Sequence, residues 1–204
     1  MSSEILVKDY GERLVDVEAY CPLVWVKNPP QYLREGVAER LKVATENLIK
    51  ERPDLTFCLN SGWRSAAKQE ALFWEQFYLL ERRNSAWVAE RVMKEANKYV
   101  APSSGLDVSG HLTGGALDLI LAFVKTGRKV PMVSSSLTFQ ENAKTFQSKL
   151  SRHIREKRWL MFCVLAKVGF VNVEHEFWHW SFGDRVWAEK TGQSAIYGII
   201  ESLY

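Results

Sequence analysis

Residues 115–124, GALDLILAFV, are apolar except for a single aspartate. The run has the length and character of a buried strand. A carboxylate inside such a strand is costly unless it is paired or coordinated, so a fold that buries this segment must also bring a partner to Asp118. His111 lies seven residues upstream, beyond Thr113-Gly114-Gly115. On an unbroken strand those two side chains would face opposite ways. The glycines let the chain turn before the strand begins, so that both can converge.

The flanking segments predict helices and further short strands. NPPQYLREGVAERLKVATENLIKERPDL has proline near its first turn and Leu33, Val37, Leu41, Ala44 and Leu48 at three-and-four spacing. This predicts an amphipathic helix running to about Arg52, where Pro53 stops it. LTFCLNSGWR reads as a strand entering a turn, AAKQEALFWEQFYLL as a second helix, and residues 86–99 as a third. After the loop APSSGLDVSGH and the 115–124 strand, Thr138 and Glu141 form a capping box for a long helix over roughly 139–167. Phe146, Leu150, Ile154, Met161 and Leu165 mark its apolar side, and Gly169 ends it. The tryptophans Trp74, Trp87 and Trp159 are read as core. FVNVEHEFWHWSF is β-prone and returns to the sheet of the 117–123 strand. The mixture predicts an α+β fold with a mostly antiparallel sheet flanked by helices. At 204 residues and 47% hydrophobic composition the chain suits one substantial core, so a single domain over 1–204 is expected.

Charge and patterning exclude several function classes. The 27 basic and 24 acidic residues leave a net +3 with no basic block, which argues against nucleic acid as a partner. The longest apolar run, WLMFCVLA, is far below the roughly 20 residues that span a bilayer, so no membrane insertion is expected. The N-terminus has no basic segment followed by an apolar one. Cys21, Cys58 and Cys163 are odd in number and widely spaced, which suits buried thiols in a reducing, cytoplasmic setting rather than disulfides. No C-x-x-C spacing offers them to a metal.

Zinc catalysis usually takes three protein ligands from imidazole and carboxylate and leaves a fourth position open. His111, Asp118 and His179 supply that number and type, and Glu176 is the nearest carboxylate able to accept a proton from water. A regular strand would put His175, Phe177 and His179 on one face and Glu176 on the other. A bulge or turn near Phe177–Trp178 is therefore required, or His175 becomes a competing ligand by parity. His153, inside SRHIREKR, reads as a solvated side chain. Arg64, between a strand and a helix, is read either as a salt-bridging or capping residue or as part of the chemistry.

The stretch SGHLTGGALD followed by EFWHWSFGD resembles the zinc D-alanyl-D-alanine dipeptidases of the VanX type, within the D,D-carboxypeptidase-like metallopeptidases. Their pattern Ser-x-His-x-x-Gly-x-Ala-x-Asp is matched by Ser109, His111, Gly114, Ala116 and Asp118, and their Glu-x-x-His by Glu176 and His179. SGWR stands where these enzymes carry a Gly-Tyr-Arg turn. The resemblance implies a D,D-peptidase/Hedgehog-like fold in which His111, Asp118 and His179 hold one zinc ion. Glu176 would be general base and then acid, Arg64 would stabilise the oxyanion, and Ser109 and Tyr20 would bind substrate. It also implies a small D-amino-acid peptide as substrate, D-alanyl-D-alanine being split into two D-alanines in cell-wall precursor turnover or depletion. One position departs from the pattern: Leu137 stands where the family has an aspartate that pairs with the substrate's free amino group. Either Glu141 or Asp107 substitutes, or a free amino terminus is not required. A D,D-carboxypeptidase or endopeptidase on longer peptidoglycan peptides, and a non-catalytic metal-bound binding module, are the alternatives.

Overall fold

The structure, a computed structural model, describes residues 6–103 and 108–203. In chain order the elements are β1 (Leu14–Asp16), α1 (Val17–Tyr20), β2 (Trp25–Val26), β3 (Tyr32–Arg34), α2 (Glu35–Glu51), β4 (Leu55–Ser61), α3 (Ala66–Arg83) and α4 (Ala89–Ala96). A 3₁₀ turn, Gly110–Thr113, then precedes β5 (Ala116–Phe123), α5 (Phe139–Ala143), α6 (Arg152–Lys167), β6 (Val171–Val173), β7 (Glu176–Ser181) and α7 (Arg185–Thr191). The main sheet has the order β2-β4-β5-β7-β6. Its β2–β4 pair is parallel and its other three pairs are antiparallel, while β1 and β3 form a separate antiparallel ribbon. The α+β class and the predominantly antiparallel sheet agree with the sequence expectation.

Strand alternation divides the sheet into two functions. Leu117, Leu119 and Leu121 are fully buried, and they pack in one cluster with Phe57 and Leu59 of β4, Val37, Leu41 and Leu48 of α2, and Met161 and Leu165 of α6. The parity of β5 sends Asp118 to the opposite face. Apolar burial on one face thus places the lone acid of β5 on the face left for chemistry. Above that face α3 and α4 form a smaller helical pair with their own contacts among Phe77, Leu80, Val92 and Ala96.

Three expectations need correction. The first helix begins at Glu35 rather than at the prolines, because Tyr32–Arg34 is used by the ribbon with β1. The long helix over 139–167 is two helices. Thr138 and Glu141 do form both halves of the capping box, but α5 ends at Ala143 and α6 restarts after Ser151, whose hydroxyl accepts from Ile154 N–H. The cause is Arg158, whose guanidinium takes the carbonyls of Asn142 and Lys144 that a continuing helix would have bonded to its own amides. Phe146 is consequently exposed against Trp159 and Phe162 rather than buried in the core. The tryptophans also divide, since Trp159 is 57% and Trp74 37% exposed while Trp87 packs against the α3–α4 pair.

Candidate active site

The cluster is assembled on adjacent strands. Asp118 on β5 stands in register with His179 on β7 and, across a bulge after Leu59, with Ser61 at the end of β4. His111 reaches the same place from the 3₁₀ turn, where Ser109 caps the turn and Gly114 closes it at φ +72°, in the left-handed region that favours glycine. A side chain at Gly114 would lie 2.7 Å from Leu14 and 3.3 Å from the Arg34 backbone. The turn expected between His111 and the strand is therefore the one the chain makes.

The ring nitrogens have defined partners. His111 Nδ1 lies 2.8 Å from the Gly62 carbonyl, which fixes the proton there and leaves Nε2 facing Asp118 Oδ2 at 3.4 Å. His179 Nδ1 is 3.1 Å from Asp118 Oδ1 and 3.9 Å from Glu176 Oε2. One ligand atom from each of His111, Asp118 and His179 falls within 4.8 Å of the other two. Burial pushes the pKa of His111 down and so favours the neutral ring with its lone pair. Burial opposes charge on Asp118, but the flanking imidazoles outweigh it and hold its carboxyl well below the usual range. Burial likewise opposes charge on His179, and its hydrogen bond to Asp118 reverses the direction and raises its pKa. Two imidazoles and an ionised carboxylate converging in this way fit the donor set of a catalytic zinc site.

Arg64 has the salt-bridging role that the sequence left open, and it is placed beside the cluster. Its guanidinium donates to Ser61 Oγ (2.8 Å), Gln69 Oε1 (3.1 Å) and Asp118 Oδ2 (3.0 Å). It is a salt bridge to the cluster and also a positive charge held beside it. Gln69 is in turn anchored by its amide to the Ala101 carbonyl. Ser61 and Gln69 went unremarked in the sequence; their spacing from Arg64, three and five residues, was the one local signal.

Glu176 and His179 do share a side, because β7 bulges. Asn172 pairs with Trp180 and the next residue, Val173, with Glu176, so three residues of β7 are bypassed. His175 lies exposed in the turn before β7 and is not in the cluster. Burial raises the pKa of Glu176, which lines a cavity of about 380 Å³ together with His179, Ser109, Tyr99 and Lys98. Tyr20 is not brought to this cavity: α1 packs on α2, and the Tyr20 hydroxyl donates to Glu39 there. Glu141 is also committed elsewhere. Lys149 and the Thr138 cap engage its carboxylate and lower its pKa to about 2. Asp107 lies outside the described residues.

A mixed sheet carrying an imidazole–carboxylate cluster beside a half-buried glutamate suits a metal-assisted hydrolase. The chain belongs to the VanY family, described as D-alanyl-D-alanine carboxypeptidase, whose sequence profile matches residues 30–185. A D-alanyl-D-alanine dipeptidase of Synechocystis sp. is 27% identical, the match covering 84% of this chain and 80% of that protein. Among solved structures, VanYB in complex with D-alanine-D-alanine is 15% identical with a TM-score of 0.56, covering 94% of this chain and 93% of that one. A VanY D,D-pentapeptidase mutant from a VanB-type resistance cassette, in complex with Zn(II), is 14% identical with a TM-score of 0.54, covering 94% and 95%. These structural likenesses establish the fold. No helix among the described residues is long and apolar enough to cross a membrane.

Proposed function

We propose that this chain is a zinc peptidase that hydrolyses D-alanyl-D-alanine to two D-alanines, in the turnover or depletion of a cell-wall precursor. The observation that carries the reading is the convergence of His111, Asp118 and His179, with Glu176 beside His179 on the wall of one cavity. The relatives support the substrate class through their names, one a D-alanyl-D-alanine dipeptidase and one solved with D-alanine-D-alanine bound. His111, Asp118 and His179 would hold a single zinc ion, which when bound supplies Lewis acidity to water and to the peptide carbonyl. Glu176 accepts the proton of the attacking water and returns it to the leaving nitrogen. The Arg64 guanidinium, seated by Ser61 and Gln69, offers positive charge to the oxyanion that develops in the transition state. Ser109 is proposed to contact the substrate from the cavity wall. We take residues 1–204 as one catalytic domain and place it in the cytoplasm, a setting in keeping with its three unpaired cysteines.

A second reading, a carboxypeptidase on longer peptides, is favoured by one feature of the cavity. Among the described residues Glu176 is the one carboxylate that lines it. A free substrate amino group therefore has no separate acid there, and Lys98 on the same wall is itself held by Glu95 at 2.7 Å.

The test is D-alanine release from D-alanyl-D-alanine and from its N-acetylated form, offered in parallel to the zinc-loaded protein. Release from the free dipeptide alone is the expected result. Cleavage of the acetylated compound transfers the assignment to the second reading, and inactivity on both with zinc bound overturns the first.

Gly62 provides a separate check on the zinc assignment. A Cβ there would meet the Tyr32 carbonyl at 2.5 Å, so Gly62→Ala must push the Gly62 backbone and Tyr32 apart and shift the Gly62 carbonyl that orients His111. Zinc affinity, measured by competition with a chelator, is expected to fall about tenfold, the scale on which partners of metal ligands act. Unchanged affinity would remove Gly62 from the zinc site.

A further inference from the structure

The geometry points to Asn172 as a positioning residue for Glu176 and His179, with Thr145 setting its orientation. The inference rests on the peptidase reading above, which it deepens. Asn172 is a polar side chain on β6, 5% exposed. Its amide nitrogen donates to the carbonyl of Glu176 at 3.2 Å and to the carbonyl of His179 at 2.9 Å. These are the backbone groups of the two residues whose side chains must meet across the cavity.

The need for such a side chain follows from the bulge. With three residues of β7 bypassed, the regular β6–β7 ladder is interrupted between Asn172 and Val173. A buried carbonyl left without a donor is unfavourable, and a side-chain amide has two N–H groups, enough for two acceptors. Asn172 therefore substitutes for the missing ladder and holds both ends of the bulge. Its span sets how far apart Glu176 and His179 lie. Without it the two ends of the bulge lose their shared donor, and the spacing of Glu176 and His179 is free to relax.

The amide must face the right way, and Thr145 determines this. The Thr145 hydroxyl donates to Asn172 Oδ1 at 2.5 Å, and the Thr145 N–H donates to the Glu174 carbonyl at 2.8 Å. With the oxygen of Asn172 engaged by a hydroxyl, its nitrogen is left for the two carbonyls. Thr145 belongs to the irregular stretch between α5 and α6, so the break in that helix has a use at the site.

The test uses the full chain loaded with zinc and compares Asn172→Ala, Thr145→Val and Thr145→Ser with the unaltered protein. Three quantities are read: kcat and KM on whichever D-alanyl peptide the protein cleaves, zinc affinity by chelator competition, and melting temperature. Asn172→Ala is expected to lower kcat by about 10- to 100-fold and zinc affinity by about tenfold, with KM within about twofold. Thr145→Val should move kcat and zinc affinity in the same direction, and Thr145→Ser, which keeps the hydroxyl, should restore them. A folded Asn172→Ala protein with unchanged kcat and zinc affinity, or with a change confined to melting temperature or KM, overturns the inference. Should Asn172→Ala fail to fold, the two Thr145 variants decide: equal behaviour of valine and serine rejects the assignment. Zinc affinity does not depend on the substrate, so an inactive unaltered protein would count against the peptidase reading while His179 placement is still measured.

Discussion

Glu176→Ala is expected to lower kcat by about 10²- to 10⁴-fold, the range over which a positioned acid–base group acts, while zinc binding stays stoichiometric. The separation of the two effects follows from the geometry. Glu176 Oε2 stands 3.9 Å from His179 Nδ1, outside the set of His111, Asp118 and His179, so its removal leaves all three ligand atoms in place. What disappears is a half-buried carboxylate whose pKa burial has raised and which therefore takes up a proton more readily than a solvated one. Glu176→Gln, with nearly the same volume, should lose the same activity, which would exclude a packing cause. Single-turnover kinetics on the zinc-loaded variants, with metal content measured alongside, gives the answer. Retained turnover in both would assign proton transfer to another group, and loss of zinc together with activity would make Glu176 a ligand.

Arg158→Met is expected to destabilise the protein by about 3–5 kcal/mol, the sum of several buried acceptors each left unpaired at about 1–3 kcal/mol and partly relieved by relaxation. Arg158 is 3% exposed and faces no carboxylate. It donates instead to the carbonyls of Met132 (3.0 and 2.6 Å), Lys144 (2.6 Å) and Asn142 (2.8 Å), and its guanidinium lies 3.8 Å over the ring of Phe177. Burial lowers its pKa to about 10, so it stays charged at neutral pH. Methionine restores part of the volume and none of the donors. In a chain of this size the expected loss corresponds to a fall of about 10 °C in Tm, and urea unfolding would report it directly. A change below about 1 kcal/mol, within the ordinary range of single substitutions, would mean that those carbonyls find other donors.

How much of this was legible beforehand differs from residue to residue. Asp118 was legible because an acid in an apolar run must find a partner, and His111 because the two glycines after it allow the turn. The demand for a bulge at Phe177–Trp178 was also legible, since strand parity otherwise forbids a Glu176–His179 pair. Asn172, which sustains that bulge, was not: one asparagine in a β-prone segment carries no periodic signal. The helix break at 144–151 was hidden because the apolar spacing continues through Phe146 and Leu150, and the interruption comes from Arg158, a residue of α6 itself. Tyr20 was placed in the substrate pocket by resemblance alone, and its hydroxyl is turned to Glu39 instead.

The chain's own order of residues thus determined what is local: the α+β class, the strand and helix periods, the parity of Asp118, and the types and spacing of the groups that meet. Tertiary structure alone decided which partners those groups face. Gly62 against His111, Arg64 against Asp118, and Asn172 against the carbonyls of Glu176 and His179 depend on the register between strands and on where loops cross. Periodicity registers only the face on which a residue lies, whereas a hydrogen-bond partner is set by the packing of segments distant in sequence, as the separation of 49 residues from Gly62 to His111 illustrates.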